Sequence, residues 1–87
     1  MRIIKEIPLP DYKVTIYHWN NRYLIKLEQG FLEQTFKIDQ FEISSEEDIL
    51  KIITDEIFLE QAMKRFAEMA GSLNEAVHRA NETFDNR

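Results

Sequence analysis

Residues 13–38 read KVTIYHW, then NN, then RYLIKLE, then QG, then FLEQTFKI. Three runs rich in β-branched and aromatic residues are separated by two short breaks, the pattern of consecutive strands. Asn20-Asn21 and Gln29-Gly30 each supply a residue that tolerates the left-handed backbone of a two-residue hairpin turn. If Asn20-Asn21 is such a loop, Val14 faces Leu27, Ile16 faces Ile25 and His18 faces Tyr23 on one side of a sheet. Lys13 then faces Glu28, Thr15 faces Lys26, Tyr17 faces Leu24 and Trp19 faces Arg22 on the other. The first side is apolar and is the expected core face; the second pairs charges across strands and sets a cation beside an indole. A loop at Gln29-Gly30 sets Leu27 against Leu32, Tyr23 against Phe36 and Lys26 against Glu33. It leaves Gln34 opposite Ile25, a polar misfit on the inner side.

Working toward the N-terminus, Ile3 to Ile7 is a further strand-like run. It is closed by Pro8-Leu9-Pro10-Asp11, where two prolines in three residues cannot continue a ladder. Toward the C-terminus the pattern turns helical over residues 44–84. Ser44-Ser45-Glu46-Glu47 reads as a capping box with acids in the first turn. A short helix is expected over about 45–53, with a break at Thr54-Asp55, which can cap the next helix. That next helix spans about 55–83 and carries Leu59, Ala62, Phe66, Met69, Leu73, Ala76 and Ala80 at alternating steps of three and four, a coiled-coil seam. Phe58, Met63, Ala70, Val77 and Phe84 widen the stripe. Gly71-Ser72 interrupts it, but the apolar phase continues, so one helix is expected, with a kink allowed at Gly71. The last few residues are expected to fray.

The fold class that follows is α+β: a four-stranded antiparallel β-meander over about 2–38, then a short and a long helix packed on one sheet face. The expected sheet half of the core is Val14, Ile16, Tyr23, Ile25, Leu27, Leu32, Phe36 and Ile38. The helical half is Ile49, Ile53, Phe58, Ala62, Phe66 and Met69. The chain has 87 residues, enough for one domain with a small core. It has no Cys, which excludes disulfides and thiolate metal sites. No apolar stretch is long enough for a membrane span, and the opening residues do not form a secretory signal, so a cytoplasmic protein is expected. The net charge of −5 is uneven: residues 1–38 carry +2 and residues 39–87 carry −7.

Catalytic signals are thin. Two glycines cannot build a phosphate-cradling loop, and the serines all have capping explanations. No enzyme activity and no cofactor is expected. Glu75, His78 and Glu82 share one helical face and contain a Glu-x-x-His element, as used in carboxylate metal sites. No second such element exists, so a site would need a symmetric copy; paired charges on a solvated face, Glu75 with Arg79 and His78 with Glu82, are the plainer reading. His18 is expected at the core margin, hydrogen-bonded to Tyr23 or Gln34.

Two surfaces remain as candidate interaction sites. The outer sheet face gathers Lys13, Tyr17, Trp19, Arg22, Leu24, Lys26 and Lys37. Cations among aromatics on an open sheet suit single-stranded nucleic acid, and the strands-then-helix layout resembles that of the Pur-type and whirly-type single-strand binders, without any motif of either. The apolar part of the same face suits a protein interface. The second surface is the end of the long helix, which overhangs so small a sheet and leaves Leu73, Ala76, Val77 and Ala80 to be covered by something else. The function expected is a protein-interaction module that forms a homodimer through that helix, the open sheet face or both. Single-stranded nucleic-acid binding is the alternative.

Overall fold

In a computed structural model the chain is described over residues 1–85, with side chains to Glu82. The expected fraying of the last residues and the side chain of Phe84 lie outside that range. Four strands form one antiparallel sheet in sequence order: β1 (Arg2–Pro8), β2 (Lys13–Trp19), β3 (Arg22–Gln29) and β4 (Leu32–Asp39). A single 3₁₀ turn at Gln40–Glu42 leads to α1 (Glu46–Ile53) and α2 (Glu56–Asp85). The architecture is therefore α+β, a meander followed by a short and a long helix, as the sequence leads one to expect.

The β2–β3 hairpin has the expected register, from Lys13 opposite Glu28 to Trp19 opposite Arg22. Asn20 and Asn21 both take positive φ, 53° and 61°, the type I′ pattern that matches the twist of the strands. The second hairpin differs from expectation. Its loop is Gly30-Phe31, so Gln29 pairs with Leu32 and Glu28 with Glu33. Only Gly30 takes positive φ, 58°, so the glycine occupies the first turn position, as in a II′ turn, and not the second. Partners shift by two: Leu27 faces Gln34, Ile25 faces Phe36 and Lys26 faces Thr35. A shift of two keeps every side chain on its expected face.

β1 carries an irregularity between Ile3 and Lys5, so that Ile4 and Lys5 together oppose Ile16. Strict alternation would put Ile4 and Ile7 on opposite faces. The bulge inserts one residue and lets both reach the core, while Ile3 turns outward.

The core lies between the inner sheet face and the two helices. Val14, Ile16, Ile25 and Leu27 are buried against Ile49, Ile53, Ala62 and Phe66. Tyr23, Leu32, Phe36, Ile38, Phe58 and Met69 pack around them, half-buried. Phe36 and Phe58 meet edge to face at 5.1 Å. α1 begins after Ser45, whose side chain makes no capping bond; instead the Asp48 carboxylate accepts from the Ser44 N–H at 2.9 Å. That bond holds the Asp48 carboxyl below its ordinary value of 3.8, helped by Lys51 and against a smaller desolvation effect. The break falls at Thr54-Asp55, where Asp55 Oδ1 accepts from the N–H of Ile57 at 2.9 Å and of Phe58 at 3.3 Å. Asp55 thereby caps α2. α2 then runs 30 residues without a break at Gly71.

Asp55→Ala removes that cap. It should lower unfolding free energy by about 1 kcal/mol in a urea titration; a midpoint equal to that of the parent protein would contradict the capping role.

Candidate functional site

α2 runs along β4 on the inner face, and one polar residue sets its position. Gln34 projects inward from β4, its Nε2 donating to the Ala62 carbonyl oxygen at 2.8 Å. Its Oε1 accepts from Arg65 Nε at 2.9 Å, and the Arg65 guanidinium stacks 5.7 Å from the centre of the Phe36 ring. The residue that fits an apolar face least is thus the joint between sheet and helix. Beyond Ala70, the sheet ends and α2 continues. Every residue from Gly71 to Glu82 is exposed. Leu73 and Val77 retain 52% and 49% of their surface in solvent.

At about 100° per residue, Leu73, Ala76, Val77 and Ala80 form one stripe on this overhang. Its flanks carry Ser72, Asn74, Arg79 and Asn81, while Glu75, His78 and Glu82 lie on the far side. The stripe is continuous with the rim of the sheet, where an open groove of about 290 Å³ is lined by Gln29, Phe31, Leu32, Ala70, Leu73 and Asn74. Phe31, at the tip of the β3–β4 turn, is fully exposed. Sequence reasoning placed Phe31 in a strand and missed its position at the turn beside Leu73.

The outer sheet face is brought together as expected, with Lys13 and Lys26 already partnered by carboxylates. Lys13 Nζ lies 3.3 Å from Glu6, and Lys26 Nζ lies 3.8 Å from Glu28 and 3.4 Å from Glu33. The charge of Glu28, and the hydrogen bond and charge of Glu33, raise the Lys26 pKa. Arg22 faces Asp39 in the register. Four cations (Lys13, Arg22, Lys26, Lys37) and four acids (Glu6, Glu28, Glu33, Asp39) share this face, so its net charge is zero. Between them runs an apolar row of Ile3, Tyr17 and Leu24, with Trp19 beside it at 46% exposure. Leu24 is buried although it points away from the core.

Thr15 is also buried on this face, and its hydroxyl has no hydrogen-bond partner among the described residues. His18 sits at the core margin, its ring 4.9 Å from that of Tyr23. Its hydrogen-bond partner is the Gln40 side chain at 3.2 Å, not Tyr23 or Gln34. Gln40 occupies that place because the 3₁₀ turn folds back beside the β2–β3 hairpin, with the Gln40 N–H on the Asn21 carbonyl oxygen.

His78 and Glu82 pair at 3.0 Å on the exposed side of α2. Among the described residues no three His, Cys, Asp or Glu side chains come together as a metal site, so Glu75, His78 and Glu82 do not converge. A second cleft, about 210 Å³, opens at the β1 bulge between Ile4, Lys5, Ile16 and the α1 residues Glu46, Ile49 and Leu50. Among the described residues no helix is long and apolar enough to cross a membrane. Comparisons with protein-family models, with curated proteins and with solved structures give no match.

The orphaned hydroxyl of Thr15 gives a direct test of the outer face. Replacing an unsatisfied buried polar group by an apolar one of the same shape is neutral or stabilising. Thr15→Val should therefore raise the melting temperature by a few degrees, on the order of 1 kcal/mol. A clear loss of stability would show that the hydroxyl has a partner in solution.

Proposed function

We propose that the chain is a small non-enzymatic interaction module that self-associates through the distal half of α2. The observation that carries this reading is the overhang. A helix of this length is not held in water by propensity alone; tertiary packing of an amphipathic face supplies most helical stability. Here the apolar stripe continues past Ala70, and beyond the groove that Leu73 shares with Phe31 and Leu32 its described residues are exposed. The stripe itself is uncharged, in keeping with the depletion of charge at interface centres. Ala76 and Ala80 are small enough for close approach of a second helix.

A second copy is the partner that fits. An antiparallel twofold pairing centred between Ala76 and Val77 matches the stripe with itself, setting Leu73 of each copy opposite Ala80 of the other and Ala76 opposite Val77. Pairing of the overhangs alone covers a short length of helix. The exposed Phe31 and the groove beside Leu73 extend the apolar surface toward the size that stable interfaces require, about 1,200 Å² or more in total.

Leu73→Glu should reduce the assembly to a species of half the mass or less in sedimentation at about 100 μM, with unchanged helical circular dichroism. An unchanged mass would remove the helix from the interface. The nucleic-acid alternative rests on the outer sheet face, and the ion pairs there weigh against it, because phosphate would have to displace carboxylates already in place. Trp19 is the only tryptophan and stands on that face. Its fluorescence should stay constant when mixed-sequence single-stranded DNA is added at low salt. Saturable quenching that weakens with salt would reverse this preference.

A further inference from the structure

We infer that the free edge of β4 is a second self-association site, where two copies of the chain pair β4 to β4 about a twofold axis at Thr35 and merge their sheets into one of eight strands. This surface is separate from the α2 overhang.

The two edges of the sheet are treated differently. β1 carries a bulge and ends on Pro8, two devices that obstruct pairing with another chain. β4 runs eight residues, Leu32–Asp39, with no proline and a continuous register against β3. In an antiparallel ladder, alternate residues turn both main-chain groups toward one neighbour. The Gln40 N–H bonds the Asn21 carbonyl oxygen at 3.1 Å. The even-numbered residues of β4 therefore serve β3, and Glu33, Thr35 and Lys37 present N–H and C=O outward. A second antiparallel β4 can satisfy them.

Charge selects the register. Glu33, Thr35, Lys37 and Asp39 are all exposed on the outer face of this edge. A twofold at Thr35 sets Glu33 of each copy opposite Lys37 of the other and Thr35 opposite Thr35. A twofold at Glu33 or Lys37 would oppose like charges, and one at Phe36 would oppose Glu33 to Asp39 twice. A twofold at Gln34 opposes no like charges, but it makes no ion pair either. The surroundings favour the Thr35 register further. Glu33 stands across from Glu28 and shares the single Lys26 with it, a local acidic excess. Lys37 is in no ion pair with a described residue and faces Leu24. The twofold therefore brings Lys37 to a pair of acids that share one cation. On the inner side the same register sets Leu32 opposite Ile38 and Gln34 opposite Phe36. Two isologous contacts on one chain, at the overhang and at this edge, build a tetramer or a longer chain of subunits.

The test is sedimentation of the full chain carrying Leu73→Glu, which removes the helix contact and leaves the edge. This variant should sediment as a dimer at a few hundred μM. Adding Thr35→Pro, which deletes an outward N–H and spares the β3 ladder, should weaken that dimer by at least about tenfold. Lys37→Glu should weaken it by about threefold to tenfold, and Glu33→Lys with Lys37→Glu should restore it. The charge exchange keeps the inference falsifiable if the proline variant does not fold. A monomer for Leu73→Glu alone, or a dimer indifferent to both edge changes, would overturn the β4 edge and leave the helix reading standing. An assembly insensitive to Leu73→Glu but broken by Thr35→Pro would do the reverse.

Discussion

The type I′ turn at Asn20-Asn21 is the constraint from which the rest of the sheet follows. Two residues in the left-handed region, at 53° and 61°, leave the flanking strands no freedom of parity. Val14, Ile16, Ile25 and Leu27 must then share a face, and they are all buried. A loop longer by one residue would put Leu27 and Ile25 on the face now held by Lys26 and Glu28. The charged ladder of the outer face and the apolar floor beneath the helices are thus two consequences of one turn.

Parity alone does not place the helices. α2 is positioned by Gln34, which bonds a main-chain carbonyl at Ala62 and the side chain of Arg65. A half-buried amide with both its polar ends satisfied is specific in a way an apolar contact is not, because a slide of one residue along the helix would leave both ends unpaired. This joint fixes how far α2 has travelled when it reaches the β3–β4 turn. The sheet ends near Ala70; Leu73 and Asn74 reach only its rim, and the described residues after them are exposed. The overhang is therefore a consequence of register and length, and not of a loosely attached tail.

Most of this was legible in the sequence where two signals agreed. The faces of β2 and β3 followed from Asn20-Asn21 together with the alternation of apolar residues. The break before α2 followed from Thr54-Asp55, a pair able to cap a new helix. Where only one signal acted, the reading slipped. Gly30 is acceptable at the second position of a I′ turn and at the first of a II′ turn. The two choices differ by two residues of register, which hydrophobic alternation cannot detect. The bulge in β1 had a signal in the spacing of three between Ile4 and Ile7, incompatible with an unbroken strand whose inner face holds both. His18 was placed at the core margin, but its partner Gln40 comes from a 3₁₀ turn that no pattern announced. Of the candidate surfaces, the residues were legible and their electrostatics were not. Lys13 and Lys26 look like a basic patch until Glu6, Glu28 and Glu33 are brought against them.

That neutralisation bears on what kind of partner the protein can have. A surface meant for a polyanion keeps its cations unpaired, because the affinity comes from releasing counterions that carboxylates would already have displaced. Here cations and acids alternate in equal number across the open face, and their arrangement along β4 is nearly its own complement under a twofold. The overhanging stripe matches itself in the same way, with Glu75, His78 and Glu82 turned to the far side. Surfaces complementary to themselves are the signature of isologous contacts, in which each residue meets its counterpart in a second copy. For a domain of 87 residues with a core this small, the proposed second subunit would cover the apolar surface that a third layer of structure covers in a larger fold. Under the proposed self-association, the exposed stripe would be one half of a core that two chains complete.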